Sequence, residues 1–327
     1  MDEMRKRNEM AVALILTAVA SFVAPPSNAA MHGLGFNSLA DWPADSITHV
    51  RVWDSGAAWC QIHSGVDSYD WTALDAEVAQ AEAMYPGVSI LYTIGGCPLW
   101  LAKYPDNPNY AAWLGPGSNS MPSDIDEFNK FVWNLATRYA GRIAAYEVWN
   151  EPQLADFLYP YDSDDLAVLA QMTARAYSTI KSCDPAALVL SGSLLPRASS
   201  GGMTKASQYL AALQADGWNV DGFSTHIYPN NGEGADSWQA MLADCQATLA
   251  ALGAPSAGNV WVTETTYNLL GDVVPEADAP ALVNATYAAA AAQGVGMVFW
   301  YGWDQGASLG GLQLSPSSAA WAAIKAN

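Results

Sequence analysis

The sequence predicts an α/β fold, a single (β/α)8 TIM barrel, and three observations predict it. Eight short apolar stretches alternate with alanine-rich stretches along the chain. Strand–helix alternation at this spacing means parallel strands joined by right-handed crossovers. No glycine-rich phosphate loop follows the first apolar stretch, as an open dinucleotide-binding sheet would need, and eight units in roughly 300 residues suit a closed barrel.

Taken in order, the chain opens with a segment set apart from the fold. Arg5, Lys6 and Arg7 precede the apolar run Met10 to Val23, and Ser27-Asn28-Ala29-Ala30 supplies small residues for cleavage. That pattern reads as a secretory signal peptide over residues 1–30, and its apolar run is too short for a membrane helix of about 20 residues. The barrel is therefore expected in residues 31–327 of a protein secreted to the extracellular or periplasmic space.

Strands are expected at 33–37, 48–54, 88–95, 143–150, 187–193, 221–228, 260–265 and 295–301. Helices are expected at 72–84, 123–140, 164–182, 204–215, 237–252, 278–292 and 317–325. The segment from Ser123 illustrates why. Ser123 is placed to cap, acids at 124, 126 and 127 favour the first turn, and Phe128, Phe131, Val132 and Leu135 share a face. Asp162, Asp164 and Asp165 resemble calcium ligands but read more simply as the acidic first turn of the next helix. The longest irregular stretch, 96–122, carries five prolines and follows the third strand, where a long loop is usually functional.

Composition narrows the function. Hydrophobic residues make up 51% and charged residues 14%, which suits a large core. A net charge of −19 argues against nucleic acid and anionic membranes as partners, since both need basic patches. Four cysteines (Cys60, Cys97, Cys183, Cys245) show no paired zinc-ligand spacing. Cys60 and Cys97 follow expected strands and are candidates to pair, with the connectivity left open. No metal or cofactor is expected, and a monomer is.

Active sites of such barrels form at the C-terminal strand ends. The fourth strand ends in Tyr146-Glu147-Val148-Trp149-Asn150-Glu151-Pro152, and continued alternation would put Glu147, Trp149 and Glu151 on one face. The second strand offers His49, Arg51 and Trp53, the sixth Ser224, His226 and Tyr228, and the seventh Val260, Val262 and Glu264. The eighth ends in Phe299-Trp300-Tyr301-Gly302-Trp303-Asp304. Glu151 and Glu264 would face each other across the mouth. Two carboxylates in opposite environments can act as acid and nucleophile on a sugar acetal. Arg51 would keep Glu264 ionised, Tyr228 would donate to it, and Asn150 would bind a sugar 2-hydroxyl. Trp53, Trp100, Trp149, Trp300 and Trp303 offer faces for pyranose rings. Against this, Arg51 with Glu147 also fits a buried structural pair, the tryptophans fit core packing, and His226 alone fits a core histidine.

The Tyr146 to Pro152 string resembles the acid/base motif of clan A retaining glycoside hydrolases, family 39 and its relatives most of all. Arg138-Tyr139-Ala140-Gly141-Arg142, Pro98-Leu99-Trp100-Leu101-Ala102 and Lys181-Ser182-Cys183-Asp184-Pro185 are similar to that family's flanking segments. The resemblance implies Glu151 as general acid/base and Glu264 as nucleophile. It further implies Arg51, Asn150, His226, Tyr228 and Trp300 as substrate-side positions, with an oligosaccharide or polysaccharide as substrate. Xylosidases of that family carry an extra β-sandwich region, which is not expected here. Other glycosidase specificities, such as an arabinofuranosidase, a transglycosylase, and a non-catalytic glycan-binding barrel are the alternatives.

Overall fold

The computed structural model describes residues 31–327 apart from 37–39, 41, 46 and 305–309. The proposed signal peptide at 1–30 and Asn37, the last residue of the first expected strand, lie outside the described residues. Eight parallel strands form one sheet: β1 (Met31–Phe36), β2 (His49–Val52), β3 (Ser89–Ile94), β4 (Ala145–Val148), β5 (Leu188–Leu190), β6 (Phe223–Ile227), β7 (Val260–Thr265) and β8 (Met297–Trp300). Hydrogen bonding links them as β5-β4-β3-β2-β1-β8-β7-β6. Bridges from Leu190 to Gly222 and from Leu194 to Thr225 join β5 to β6, which closes the ring.

Helices follow β2 to β8: α1 (Thr72–Met84), α2 (Ile125–Arg138), α3 (Ser163–Cys183), α4 (Gly202–Ala215), α5 (Ala235–Ala251), α6 (Ala279–Ala292) and α7 (Ala319–Ala326). Each overlaps a segment expected from sequence. An antiparallel hairpin (His63–Gly65 with Ser68–Tyr69) precedes α1 and was not anticipated. At α2 the cap shifts by one residue. Asp124 accepts from the Asp126 amide at 2.8 Å, while Ser123 donates its hydroxyl to the Leu101 carbonyl at 2.9 Å. At α3, Asp162 accepts from the amides of Asp164 and Asp165, and Asp165 pairs with Lys103 at 2.8 Å. These aspartates therefore serve the helix start.

Two layers of apolar packing result. Outward strand residues such as Val50, Val52, Val148, Val262 and Trp300 pack against the helices. Inward residues Leu91, Ala145, Leu190, Met297 and Phe299 fill the barrel floor. Gly33 makes that floor possible, because a Cβ there would lie 2.2 Å from the Phe299 ring. The four cysteines are free thiols, so Cys60 and Cys97 are not joined; each thiol instead points to a carbonyl, Leu114 and Pro98, at 3.6 Å. Among the described residues no helix is long and apolar enough to cross a membrane.

Candidate active site

Strand β2 alternates as expected, sending Val50 and Val52 outward and Arg51 into the barrel. Arg51 is 2% exposed and organises everything above the floor. Its Nε and Nη2 donate to Glu147 Oε2 at 3.1 and 2.7 Å, and Nη2 also donates to Asn150 Oδ1 at 2.9 Å. Its Nη1 donates to Glu264 Oε1. Glu147 receives further hydroxyl donors from Thr93 at 2.6 Å, Thr263 at 2.8 Å and Ser224. Burial opposes its charge, but Arg51, His226 and the Ser224 and Thr93 hydroxyls outweigh burial and hold this carboxyl below its ordinary pKa.

Beyond Val148 the expected alternation fails. The backbone turns left-handed at Trp149 (φ 85°) and Glu151 (φ 41°), so Trp149 leaves the face shared by the two glutamates. Its buried indole donates to the Phe157 carbonyl at 3.0 Å. Glu151 returns to the mouth, its amide donating to Ser193 Oγ at 2.8 Å.

Strand β7 departs from expectation in the opposite way. Val262 pairs with Thr225 and Glu264 with His226, so Thr263 has no partner of its own on β6. On the other side Val262 pairs with Val298 and Thr265 with Trp300, which again leaves an extra residue on β7. This is a β-bulge. It turns two consecutive side chains, Thr263 and Glu264, into the barrel, while Val260 and Val262 face the helices. Glu264 reaches the mouth because the alternation is broken, not because it continues.

Glu264 Oε2 accepts from the Tyr228 hydroxyl at 2.5 Å, and Glu151 Oε1 lies 2.8 Å from His226 Nδ1. Burial lowers the His226 pKa to about 4, with Arg51 adding to the effect, so the ring is neutral at neutral pH. Arg51 Nη2, which can only donate, faces His226 Nε2 at 3.5 Å. Nε2 is therefore the acceptor and Nδ1 carries the proton toward Glu151. Burial raises Glu151 to about 7; Arg51 pulls it down, and Glu147 and Asp156 push it up. Burial and the nearby Glu151 also raise Glu264, against the pull of His226, Arg51 and Tyr228. Only Glu264 of this pair bonds a cation directly. One oxygen of each glutamate and a His226 nitrogen all lie within 4.8 Å of one another.

Of the residues singled out from sequence, Glu151, Glu264, Arg51, Asn150, His226 and Tyr228 converge here. Trp53 lies near the backbone of this strand end: its ring is 2.9 Å from where a Gly95 Cβ would be, and that same point is 3.5 Å from the Asn150 backbone nitrogen. Besides Trp149, three tryptophans lie elsewhere than expected. Trp300 faces the helices and donates to the Tyr287 hydroxyl at 3.0 Å, because Met297 and Phe299 take the inward positions of β8. Trp303 is buried with its ring edge-on to Trp321 at 5.1 Å. Trp100 donates to the His63 carbonyl at 2.9 Å and abuts the His63 ring, within an outer aromatic stack that includes Tyr69 and Phe131.

The same alternation that sends Trp300 outward brings in Tyr301, which sequence reasoning passed over. Tyr301 donates to Asp54 Oδ2 at 2.9 Å and packs 3.5 Å from the missing Cβ of Gly35. Burial pushes the Asp54 carboxyl up, against Tyr301 and Arg51. Counting by two from Met297 would have found Tyr301. Nothing in the sequence marked Thr263, whose role depends on the bulge.

No protein-family model and no curated protein matches the chain. Solved structures do resemble it. A glucosidase from Croceicoccus marinus aligns at TM-score 0.64 and 17% identity, over 86% of this chain and 61% of that one. The GH39 enzyme from Xanthomonas axonopodis pv. citri aligns at 0.61 and 18%, over 91% and 65%. Xylanase 10B from Thermotoga maritima aligns at 0.61 and 15%, over 90% and 93%. This chain thus spans under two thirds of the first two and nearly all of the third. At these identities the likeness establishes the shared barrel fold.

Proposed function

We propose that this chain is a retaining glycoside hydrolase that cleaves a β-glycosidic bond through a covalent glycosyl-enzyme intermediate. The observation that carries the reading is the pair Glu151 and Glu264, whose nearest oxygens lie within 4.8 Å in chemically different surroundings. Double displacement needs carboxyls about 5–5.5 Å apart, whereas inversion needs about 6.5–9.5 Å to admit a water. Glu264, bonded to Arg51 and Tyr228, is the group to attack the anomeric carbon as a carboxylate. Glu151, raised to about 7 and hydrogen-bonded through its carboxyl to a neutral imidazole, holds the proton for the leaving oxygen. After departure it takes a proton from water, and the hydroxide equivalent displaces Glu264 from the sugar.

The remaining groups follow from that assignment. Asn150 spends its carbonyl on Arg51, leaving its amide hydrogens to donate to a sugar hydroxyl. His226 keeps one Glu151 oxygen occupied and orients the other. The fold shared with structures described as a glucosidase, a xylanase and a GH39 enzyme supports the same chemistry. The test is a Glu264→Ala variant of residues 31–327 on β-linked aryl glycosides. Turnover is expected to fall by about 10⁴-fold or more, and added azide is expected to restore it as an azido sugar of inverted configuration. A variant that keeps parental turnover would overturn the assignment.

A further inference from the structure

The described chain exposes several large apolar side chains, and exposure alone singles out none of them. Trp133 is 53% exposed on the outer face of α2, whose buried side is Phe128, Phe131, Val132 and Leu135. Trp113 is 43% exposed but differs in what lies behind it. Its ring stands edge-on to Trp53 at 5.3 Å, and Trp53 stands edge-on to Phe157 at 6.2 Å. Trp53 is the residue that abuts Gly95, beside the backbone nitrogen of Asn150. An aromatic wall thus runs outward from the strand-end backbone that carries Asn150 and Glu151, and Trp113 is its solvent-facing end.

That end is held in place. Leu114, next in sequence, is buried with Trp53 and Ala58 beneath the loop. The Leu114 and Gly115 amides both bond the Ala111 carbonyl, closing a turn around Trp113. The Ala111 amide donates to Asp156 at 3.1 Å, and the Asn119 side chain donates to the Ala155 carbonyl at 2.8 Å. These bonds tie the loop after β3 to the loop that follows Glu151. A fixed indole, half in water and continuous with a buried aromatic wall, is a preformed platform for a flat apolar face such as that of a pyranose.

We infer that Trp113 binds a second sugar unit of the substrate, along the β2–β3–β4 side of the mouth, so that the enzyme favours chains over single-sugar glycosides. This rests on the hydrolase reading and adds to it the direction in which the substrate extends.

The test compares the parent, Trp113→Ala, Trp113→Phe and Trp133→Ala on an aryl glycoside and on oligosaccharides or polymer of the same sugar. Affinity electrophoresis through xylan, β-glucan and galactan gels runs alongside. In Trp113→Ala, kcat/KM on chains is expected to fall about tenfold through KM, with the aryl glycoside and the Trp133→Ala control unchanged. Trp113→Phe is expected to recover part of the loss. Equal loss on both substrate types would make Trp113 structural and overturn the inference, as would no loss on either. A parent retarded in a gel but inert on every substrate sinks the hydrolase reading; retardation lost in Trp113→Ala would then still support the platform. A parent neither retarded nor active sinks both.

Discussion

Glu147 and Glu151 sit at one strand end, four residues apart, the first fully buried and the second only partly exposed at the mouth, yet they are opposite kinds of acid. Glu147 gathers a guanidinium and three hydroxyls. Glu151 touches a neutral imidazole. Burial alone raises a carboxyl pKa, and the number and charge of donors decide whether that rise survives. The lower carboxylate is an anion built into the frame, holding Arg51 where it can reach Glu264. The upper one is left short of donors, which is what a proton donor requires.

The sharpest way to break this contrast is to remove the upper acid. Glu151→Gln is expected to lower kcat/KM by about 10²–10⁴-fold on substrates with poor leaving groups, and much less on an activated aryl glycoside. The parent should lose activity as pH rises through about 7, where Glu151 gives up its proton. Residual activity of the variant should lack that alkaline limb. An alkaline limb that persists in the variant would assign it to another group.

Stability should separate the same two residues with opposite sign. Glu147→Gln leaves part of Arg51 buried without its partner, and breaking such a pair costs roughly 3–5 kcal/mol. For Glu151 the sign runs the other way. Its folded pKa lies above the unfolded value, so the parent loses stability as pH rises from the ordinary carboxylate range to about 7. That loss is on the order of 3 kcal/mol and is absent from Glu151→Gln. Urea unfolding across that range measures both. Equal destabilisation by the two substitutions at a pH above about 8 would mean the two sites are not electrostatically distinct.

Much of this was legible in the sequence because it rests on periodicity. Strand and helix spacing carried the barrel, and the strand-end positions of Arg51, Asn150, Glu151, His226, Tyr228 and Glu264 carried most of the site. The departures on β4 and β7 share one cause, which is backbone that stops alternating. Trp149 leaves its face at a left-handed turn, and Glu264 gains its face through a bulge at Thr263. Both events are set by neighbouring strands, which no local pattern records. The tryptophans failed for another reason. Trp300 and Trp303 were grouped by type with their neighbours, although buried indoles pack more often than they bind ligands.

Trp300 therefore offers the mildest and most discriminating test of how far strand alternation governs the mouth. Trp300→Phe keeps an aromatic ring against α6 but removes the hydrogen bond to Tyr287, at a net cost of about 1 kcal/mol plus some lost packing. Because the side chain points away from the carboxylates, kcat and KM on any substrate should stay at parental values while urea unfolding shifts to lower concentration. Tyr301→Phe should do the reverse. It removes the hydroxyl that Tyr301 donates to Asp54 on the inward face, which pushes the Asp54 carboxyl further up and weakens the negative charge beside Arg51, so kinetics should change. The buried acid takes up a proton rather than standing as an unpaired anion, so little stability is lost. A Trp300 variant with a raised KM and parental stability would place that indole in the mouth after all, and with it the simpler rule that aromatic residues at strand ends face the substrate.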